Sequence, residues 1–212
     1  MTTTQRDQAA GGSSERAAFT EAAAWFRGVV DQVRGWDRPG LGEWTVRDLV
    51  GHTSRSLITV ETYLDAEPGE ISLRSPVAYY EAVLDAPTAS TGDVTERGRV
   101  AGRNLGADPV GFLADLDRRT QAKVRAAGDD AFVGTPFGGM RLIDYLPTRT
   151  FELVVHTGDL GVAAGVEASA PDVALASALC LVGDLARVRG HGLLVLHALT
   201  GRRPLPDGFS LL

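Results

Sequence analysis

Cysteine is nearly absent from this sequence, which contains only Cys180. An intrachain disulfide is therefore impossible, and the paired cysteines of zinc-finger sites are missing. Cys180 lies within the apolar run 174–182, and no charge close in sequence would lower the pKa of its thiol. These neighbours favour a buried core thiol over a catalytic nucleophile.

Basic runs, long apolar runs and signal-peptide features are also missing. The formal net charge is −6 and no stretch interleaves basic with aromatic residues, so nucleic acid is not expected as a partner. No apolar run is long enough to cross a bilayer, and the N-terminal residues lack a signal-peptide pattern. We therefore expect a cytoplasmic protein that binds no membrane and is either a monomer or a homodimer.

Histidine is scarce in a chain whose composition is otherwise ordinary. Of the 212 residues, 44% are hydrophobic and 23% are charged, which is enough for one globular core. A metal site with imidazole ligands must draw on four residues: His52, His156, His191 and His197.

What the sequence does contain is apolar periodicity typical of helices. Thr45 is a good N-cap with Asp48 in the position of a capping box, and Asp108 precedes a helix that starts at Pro109. Helices are predicted over residues 15–35, 46–64, 77–85, 91–104, 109–127, 141–164 and 171–187. The helix over 91–104 is the weakest, because its glycines lower the helix propensity. Residues 128–139 are predicted to be a loop with room for a short extended segment, and 193–199 fits either a helix or a strand.

Four long helices joined by long crossovers indicate a mainly α protein, an up-and-down four-helix bundle with a small C-terminal appendage. Residues 1–13 are small and polar, and we expect a disordered tail there. The bundle would occupy residues 14–165. Residues 166–212 would form a helical or α/β appendage that packs on the bundle.

A polar stripe runs along the otherwise apolar helix predicted over 141–164. Steps of three and four residues place Tyr145, Arg149, Glu152, His156 and Asp159 on one face. A helix that is apolar on its other sides is normally buried, so this stripe must be hydrogen-bonded, bind a metal or line a cavity. The alternative is a solvated stripe in which Arg149 pairs with Glu152 and His156 has no role.

His52 lies at the rim of another buried face. It is about 100° of helical rotation from the centre of the apolar stripe of the helix over 46–64. A side chain at such a rim can point into a cleft between helices. The alternative is a boundary histidine without a special role.

Two segments together resemble a known family. The stretch Trp44-Thr-Val-Arg-Asp-Leu-Val-Gly-His52 resembles one signature of the mycothiol-dependent maleylpyruvate isomerase N-terminal family, and residues 149–160 resemble its second signature. The ending, residues 199–209, is similar to the tails of such chains. The resemblance implies a metalloenzyme with a DinB/YfiT-like four-helix bundle.

The resemblance also implies a metal site and a cosubstrate. The matching ligands are His52, Glu152 and His156, which would bind one divalent metal, commonly zinc. Three protein ligands leave a tetrahedral position open, where the thiol of mycothiol would be deprotonated. The metal-bound thiolate would then attack a small electrophilic substrate, as in an S-transferase or an isomerase.

Further residues of the helices over 91–104 and 141–164 receive expected roles. Asp159 is a catalytic candidate that could orient His156, or else a plain surface residue. Arg149 is the second catalytic candidate, and the intrahelical pair with Glu152 remains its alternative. Arg103 and Tyr145 are candidates to contact the hydroxyls of the thiol's sugar or a substrate carboxylate.

The sequence departs from the family pattern in three places. Thr53 and Ser54 stand where an apolar residue is usual, and Gly158 stands where many members have a tryptophan. The appendage is also short, although isomerases of the family use that region to contact the substrate carboxylate. The resemblance therefore leaves isomerisation and S-transfer both open.

Two other functions are compatible with the residues. The first is a metal-dependent hydrolase in which the open position holds water, with Asp159 as the only obvious general base. The second is a non-enzymatic bundle that binds a metal or a ligand.

Overall fold

The computed structural model describes residues 3–86, 91–167 and 169–212, which form a mainly helical fold with one small antiparallel sheet. Within these residues there are eight helices: α1 (Thr3–Val30), α2 (Val46–Tyr63), α3 (Pro76–Asp85), α4 (Thr91–Asn104), α5 (Pro109–Ala126), α6 (Leu142–Ala164), α7 (Asp172–Val188) and α8 (Gly192–Leu199). The strands β1 (Phe132–Thr135) and β2 (Gly138–Arg141) pair through Phe132 with Arg141 and Thr135 with Gly138. The predicted mainly α fold class is confirmed.

Four of the helices form the bundle, and each of them packs against two of the others. Helix α1 packs against α6, α6 against α2, α2 against α5, and α5 against α1. The long crossover between α2 and α5 contains α3 and α4. Large fully buried side chains from each of the four helices fill the space between them: Phe19, Phe26, Leu49, Leu57, Leu113, Leu116, Leu146 and Leu153.

The start of α2 is fixed by local hydrogen bonds, as predicted. The Thr45 hydroxyl accepts from the backbone N–H of Asp48 at 3.2 Å, and the Asp48 carboxylate accepts from the backbone N–H of Thr45 at 3.0 Å. This capping box satisfies two N–H groups that the first turn would leave free. It also sets the position of His52, which lies in the second turn of α2.

Helix α4 lies unusually close to α2, and glycines make this possible. Gly51 faces the backbone of Ala101 and Gly102, and Gly98 faces the indole ring of Trp44. A Cβ atom at either glycine would overlap these neighbours. Gly98 and Gly102 weakened the helix prediction over 91–104, yet they allow α4 to pack closely against α2 and the preceding Trp44.

The first helix differs from its prediction at both ends. It begins at Thr3 rather than at a cap near Ser14, so it covers most of the predicted disordered tail of residues 1–13. Glutamine, arginine and alanine are good helix formers, and residues 5–10 contain all three. At its C-terminal end the helix stops at Val30, several residues before Gly35.

The C-terminal residues pack on the bundle through α7, which contacts α1 and α6, while α8 contacts α7. The buried face of α7 repeats at steps of three and four residues: Ala174, Ser177, Ala178, Leu181 and Leu185. Cys180 falls between these positions and is exposed, so the prediction of a buried core thiol is wrong. No described helix combines the length and the apolar character needed to cross a bilayer.

Candidate metal centre

The three predicted ligands meet between two neighbouring helices of the bundle. Helix α2 supplies His52, and α6 supplies Glu152 and His156. One nitrogen of each imidazole and one carboxylate oxygen all lie within 4.8 Å of one another. All three side chains are partly buried.

The Glu152 and His156 side chains are already spaced as ligands of one ion. Nε2 of His156 lies 3.2 Å from Oε2 of Glu152, because the two residues are one helical turn apart on the same face. Zinc bonds of 2.0–2.1 Å in a tetrahedral arrangement place two ligand atoms about 3.3 Å apart. The edge of the site that α6 provides therefore fits a tetrahedral cation.

His52 is held by aromatic contacts but has an unsatisfied nitrogen. Its ring centroid lies 4.5 Å from that of Trp44 and 4.8 Å from that of His156, to which it is nearly perpendicular. Its Nδ1 is buried and has no hydrogen-bond partner within the described residues. A buried nitrogen without a partner is costly, so a cation bound at Nδ1 of His52 would remove an energetic penalty.

The protonation of His52 also suits a ligand. Burial, followed by the positive charge of His156, lowers the pKa of His52 to about 4, although the charge of Glu152 acts in the opposite direction. The positive charges of Arg55 and Arg97 make smaller contributions to this lowering of the pKa. At neutral pH the ring is therefore uncharged and has a lone pair available for a metal.

Glu152 is ionised and fixed in place. Burial alone would raise its pKa, but the hydrogen bond from His156 and the charge of Arg149 outweigh burial and lower the pKa to about 2. The Tyr80 hydroxyl donates to Oε1 of Glu152 at 2.7 Å, while Oε2 faces His156. One carboxylate oxygen is thus anchored and the other points into the site.

His156 lies between two carboxylates. Its Nδ1 is 3.3 Å from Oδ2 of Asp159 and its Nε2 faces Glu152. Burial would lower the pKa of His156, but the hydrogen bonds with Asp159 and Glu152 outweigh it and raise the pKa to about 9. The site is therefore built to hold positive charge, which the imidazolium provides when no other cation is bound.

Arg149 does not form an ion pair with Glu152, which was the alternative to a catalytic role. Its guanidinium carbon lies 5.3 Å from the ring centroid of Tyr79 and 5.0 Å from that of Tyr145, and among the described residues no salt bridge joins Arg149 to Glu152. Arg149 is only 8% exposed, and its Nε donates to the Thr148 hydroxyl. The structure places this cation beside the site, where its charge acts on Glu152 without a direct contact.

The mycothiol contacts of Tyr145 and Arg103 stay a prediction, and the structure gives both side chains partners within the protein. Tyr145 is fully buried, and its hydroxyl donates to the Thr59 hydroxyl at 3.0 Å. Arg103 is exposed on α4 and pairs with Glu96 at 2.9 Å. The structure does not bring either of them into contact with the three candidate ligands.

Sequence reasoning missed two residues of the site. Tyr80, on α3, holds Glu152 from a different part of the chain, and no spacing in the sequence relates the two. Trp44 stacks on His52, and its indole N–H donates to the carbonyl of Thr95 on α4. Trp44 lies in the first family-like segment, which was the only available signal.

Removing the Tyr80 hydroxyl should weaken metal binding. In Tyr80→Phe, Oε1 of Glu152 loses its hydrogen bond, so the carboxylate is less well oriented. Loss of a partner of a metal ligand typically lowers affinity about 10–100-fold, and a zinc titration against a chromogenic chelator would measure this. The control is Tyr63→Phe, which removes a hydroxyl that has no hydrogen-bond partner in the described part of the chain. Equal zinc affinity in the two variants would contradict the prediction.

Comparison with known proteins gives one family. A family model described as the mycothiol maleylpyruvate isomerase N-terminal domain matches residues 15–161, which include all three candidate ligands. No curated protein and no solved structure matches the chain.

Proposed function

The chain belongs to the mycothiol maleylpyruvate isomerase N-terminal domain family, and on this premise we propose that it is a metal-dependent enzyme that uses a low-molecular-weight thiol. The thiol is mycothiol, and its sulfur attacks a small electrophilic substrate. The reaction is either S-transfer or isomerisation. The observation that carries the proposal is the convergence of His52 with Glu152 and His156 across α2 and α6.

The donor set fits a divalent cation, zinc in our proposal. Two imidazoles and one carboxylate are ligands that zinc accepts, and catalytic zinc sites commonly have three protein ligands. When bound, the cation would supply Lewis acidity and favour the thiolate form of a thiol that takes the remaining position.

The surrounding residues keep the three ligands in place. Tyr80 holds Glu152, Asp159 accepts a hydrogen bond from Nδ1 of His156, and Trp44 packs against the ring of His52. A carboxylate behind a ligating histidine fixes its tautomer and ring orientation, and this is the role we assign to Asp159. Burial opposes the ionisation of Glu152, and the charge of the buried Arg149 adds to the hydrogen bond from His156 in lowering the pKa of that carboxyl.

The position of Asp159 bears on the choice between thiol chemistry and hydrolysis. A hydrolase would need a general base besides the ligands, and Asp159 is the candidate on α6. Its Oδ2 faces Nδ1 of His156 at 3.3 Å, so it is engaged in orienting that ring. This contact favours the thiol-dependent reaction.

Thiol consumption tests the S-transfer reaction of the proposal directly. Zinc-loaded protein is mixed with mycothiol and chlorodinitrobenzene, and the loss of free thiol is followed with a bimane reagent. We expect mycothiol to be consumed only when zinc is bound, and chelation of the zinc to stop its consumption. Electrophile conversion that proceeds equally without thiol would support a hydrolase instead. Tightly bound zinc without turnover of any electrophile would support a non-enzymatic metal-binding bundle.

A further inference from the structure

Five leucines of the last two helices form an exposed apolar face. Leu175 and Leu179 lie one turn apart on α7, and Leu193, Leu196 and Leu199 follow at steps of three residues on α8. Each of them is between 40% and 79% exposed. We name these five residues the leucine face. It lies outside the part of the chain that the family model matches.

Helix α8 has no buried residue of its own, although most of its side chains are apolar. It has eight residues and packs against α7, and among the described residues none of its side chains belongs to the packed core. A helix this short is marginal in water unless tertiary packing buries its apolar side. We therefore expect another surface to cover α8 in solution.

The size of the leucine face suits a protein interface. Together the five leucines expose as much surface as about three whole leucine residues. A buried methylene group removes about 32 Å² of apolar surface from water, so three side chains of four carbons present about 400 Å² in one copy and about 800 Å² in two. A specific interface of about 1,200 Å² that is about 65% apolar contains almost the same apolar area.

The charge pattern favours a second copy of the chain as the partner. Residues 173–183 and 190–201, which carry the leucine face, contain no aspartate, glutamate, lysine or arginine. The chain has a net charge of −6, so two copies repel each other wherever acidic surfaces meet. At the leucine face they can meet without opposing like charges, whereas a strongly charged partner would find no group to pair with.

We propose that the leucine face is the interface of a homodimer, in which a second copy of the chain covers it about a two-fold axis. In such an interface both copies present the same surface, so the leucines of one copy pack against those of the other. The candidate metal centre lies between α2 and α6 of a single copy, so this inference does not depend on the proposed function.

Sedimentation velocity over a concentration series tests the dimer. The full chain should form a species of twice the 22.4 kDa mass of one copy. Leu179→Glu and Leu196→Glu each place a charge in the apolar interface and should raise the Kd of the dimer at least about 100-fold. The matched control is Leu41→Glu, the same change at a leucine that is 41% exposed and lies outside the leucine face. It should leave the Kd unchanged.

A second measurement separates loss of the dimer from loss of the fold. Leu179 and Leu196 are exposed, so the far-UV circular dichroism spectrum of both variants should stay helical. The Tm of the unaltered chain should rise with protein concentration, because mass action favours a folded dimer. The Tm of Leu196→Glu should not depend on concentration.

A monomer at every concentration would overturn the proposal, and a monomer that co-sediments with phosphatidylcholine vesicles would assign the face to a lipid surface instead. A dimer that keeps its Kd in both Leu179→Glu and Leu196→Glu would place the interface elsewhere and overturn it as well. So would an equal rise of the Kd in Leu41→Glu, because it would show a general effect of added negative charge.

Discussion

Replacing His52 with alanine is expected to remove zinc from the protein while leaving the fold intact. The substitution takes away the candidate ligand that α2 contributes, so Glu152 and His156 remain as a two-ligand edge. Loss of a residue that hydrogen-bonds to a metal ligand lowers the metal affinity about 10–100-fold. Loss of a ligand itself should lower it more than about 100-fold.

The fold should survive because His52 makes few other interactions. Its Nδ1 has no hydrogen-bond partner in the described chain, and the ring is held mainly by Trp44. Removal of an unsatisfied buried nitrogen offsets part of the lost packing. The unfolding temperature without metal should therefore change little.

Thermal unfolding with and without zinc measures both effects in one experiment. Zinc at 100 times its Kd stabilises the native state by about 2.7 kcal/mol, so the unaltered protein should unfold at a higher temperature when zinc is added. His52→Ala should show almost no shift at the same concentration. The matched control is His197→Ala, which removes an imidazole from α8, a helix that packs against α7.

A zinc-dependent shift in His52→Ala equal to that of the unaltered protein would contradict the assignment of His52 as a ligand. A shift that His197→Ala also loses would show that the effect does not come from the centre between α2 and α6.

The second large effect is expected from Gly51→Ala, which should destabilise the fold. A Cβ atom at position 51 would overlap the backbone of Ala101 and Gly102 on α4. Backbone atoms cannot turn aside as a flexible side chain can, so α2 and α4 would have to separate. Overpacking of this kind costs about 3 kcal/mol, which lowers Tm by about 6–12 °C in a chain of this size.

The control is the same substitution at Gly28 in the interior of α1, where an added Cβ atom would meet no other packed group of the described chain within 4 Å. There alanine relieves the conformational cost of glycine in a helix, and stability should rise by up to about 1 kcal/mol. Denaturant titration of both variants would show opposite signs. A neutral Gly51→Ala would mean that α4 can move away from α2 without loss.

Gly51→Ala is also expected to change the metal centre. Gly51 precedes His52, and α4 contributes Gly98, which touches Trp44. If Gly51→Ala separates α4 from α2, the position of Trp44 on His52 should change as well. We therefore expect weaker zinc binding in Gly51→Ala, in addition to lower stability.

Much of the helical structure could be predicted from the sequence, because its signals are local. The Thr45 cap fixes the start of α2, Asp108 accepts from the backbone N–H of Gly111 at the start of α5, and periodicity located α6. Two other predictions from local composition failed. The small polar residues of 1–13 indicated a disordered tail, although α1 begins at Thr3. The apolar neighbours of Cys180 indicated burial, although its face of α7 is exposed.

By itself the sequence determined that Glu152 and His156 share one face of a helix, since a spacing of four residues needs only the geometry of α6. It also carried the resemblance that placed His52 beside them. Only the tertiary structure decided the partners that come from other helices. Tyr80 holds Glu152, Trp44 covers His52, and Arg149 pairs with tyrosine rings rather than with a carboxylate. These contacts join residues far apart in the chain, so they depend on how the helices pack and not on the local pattern of any one of them.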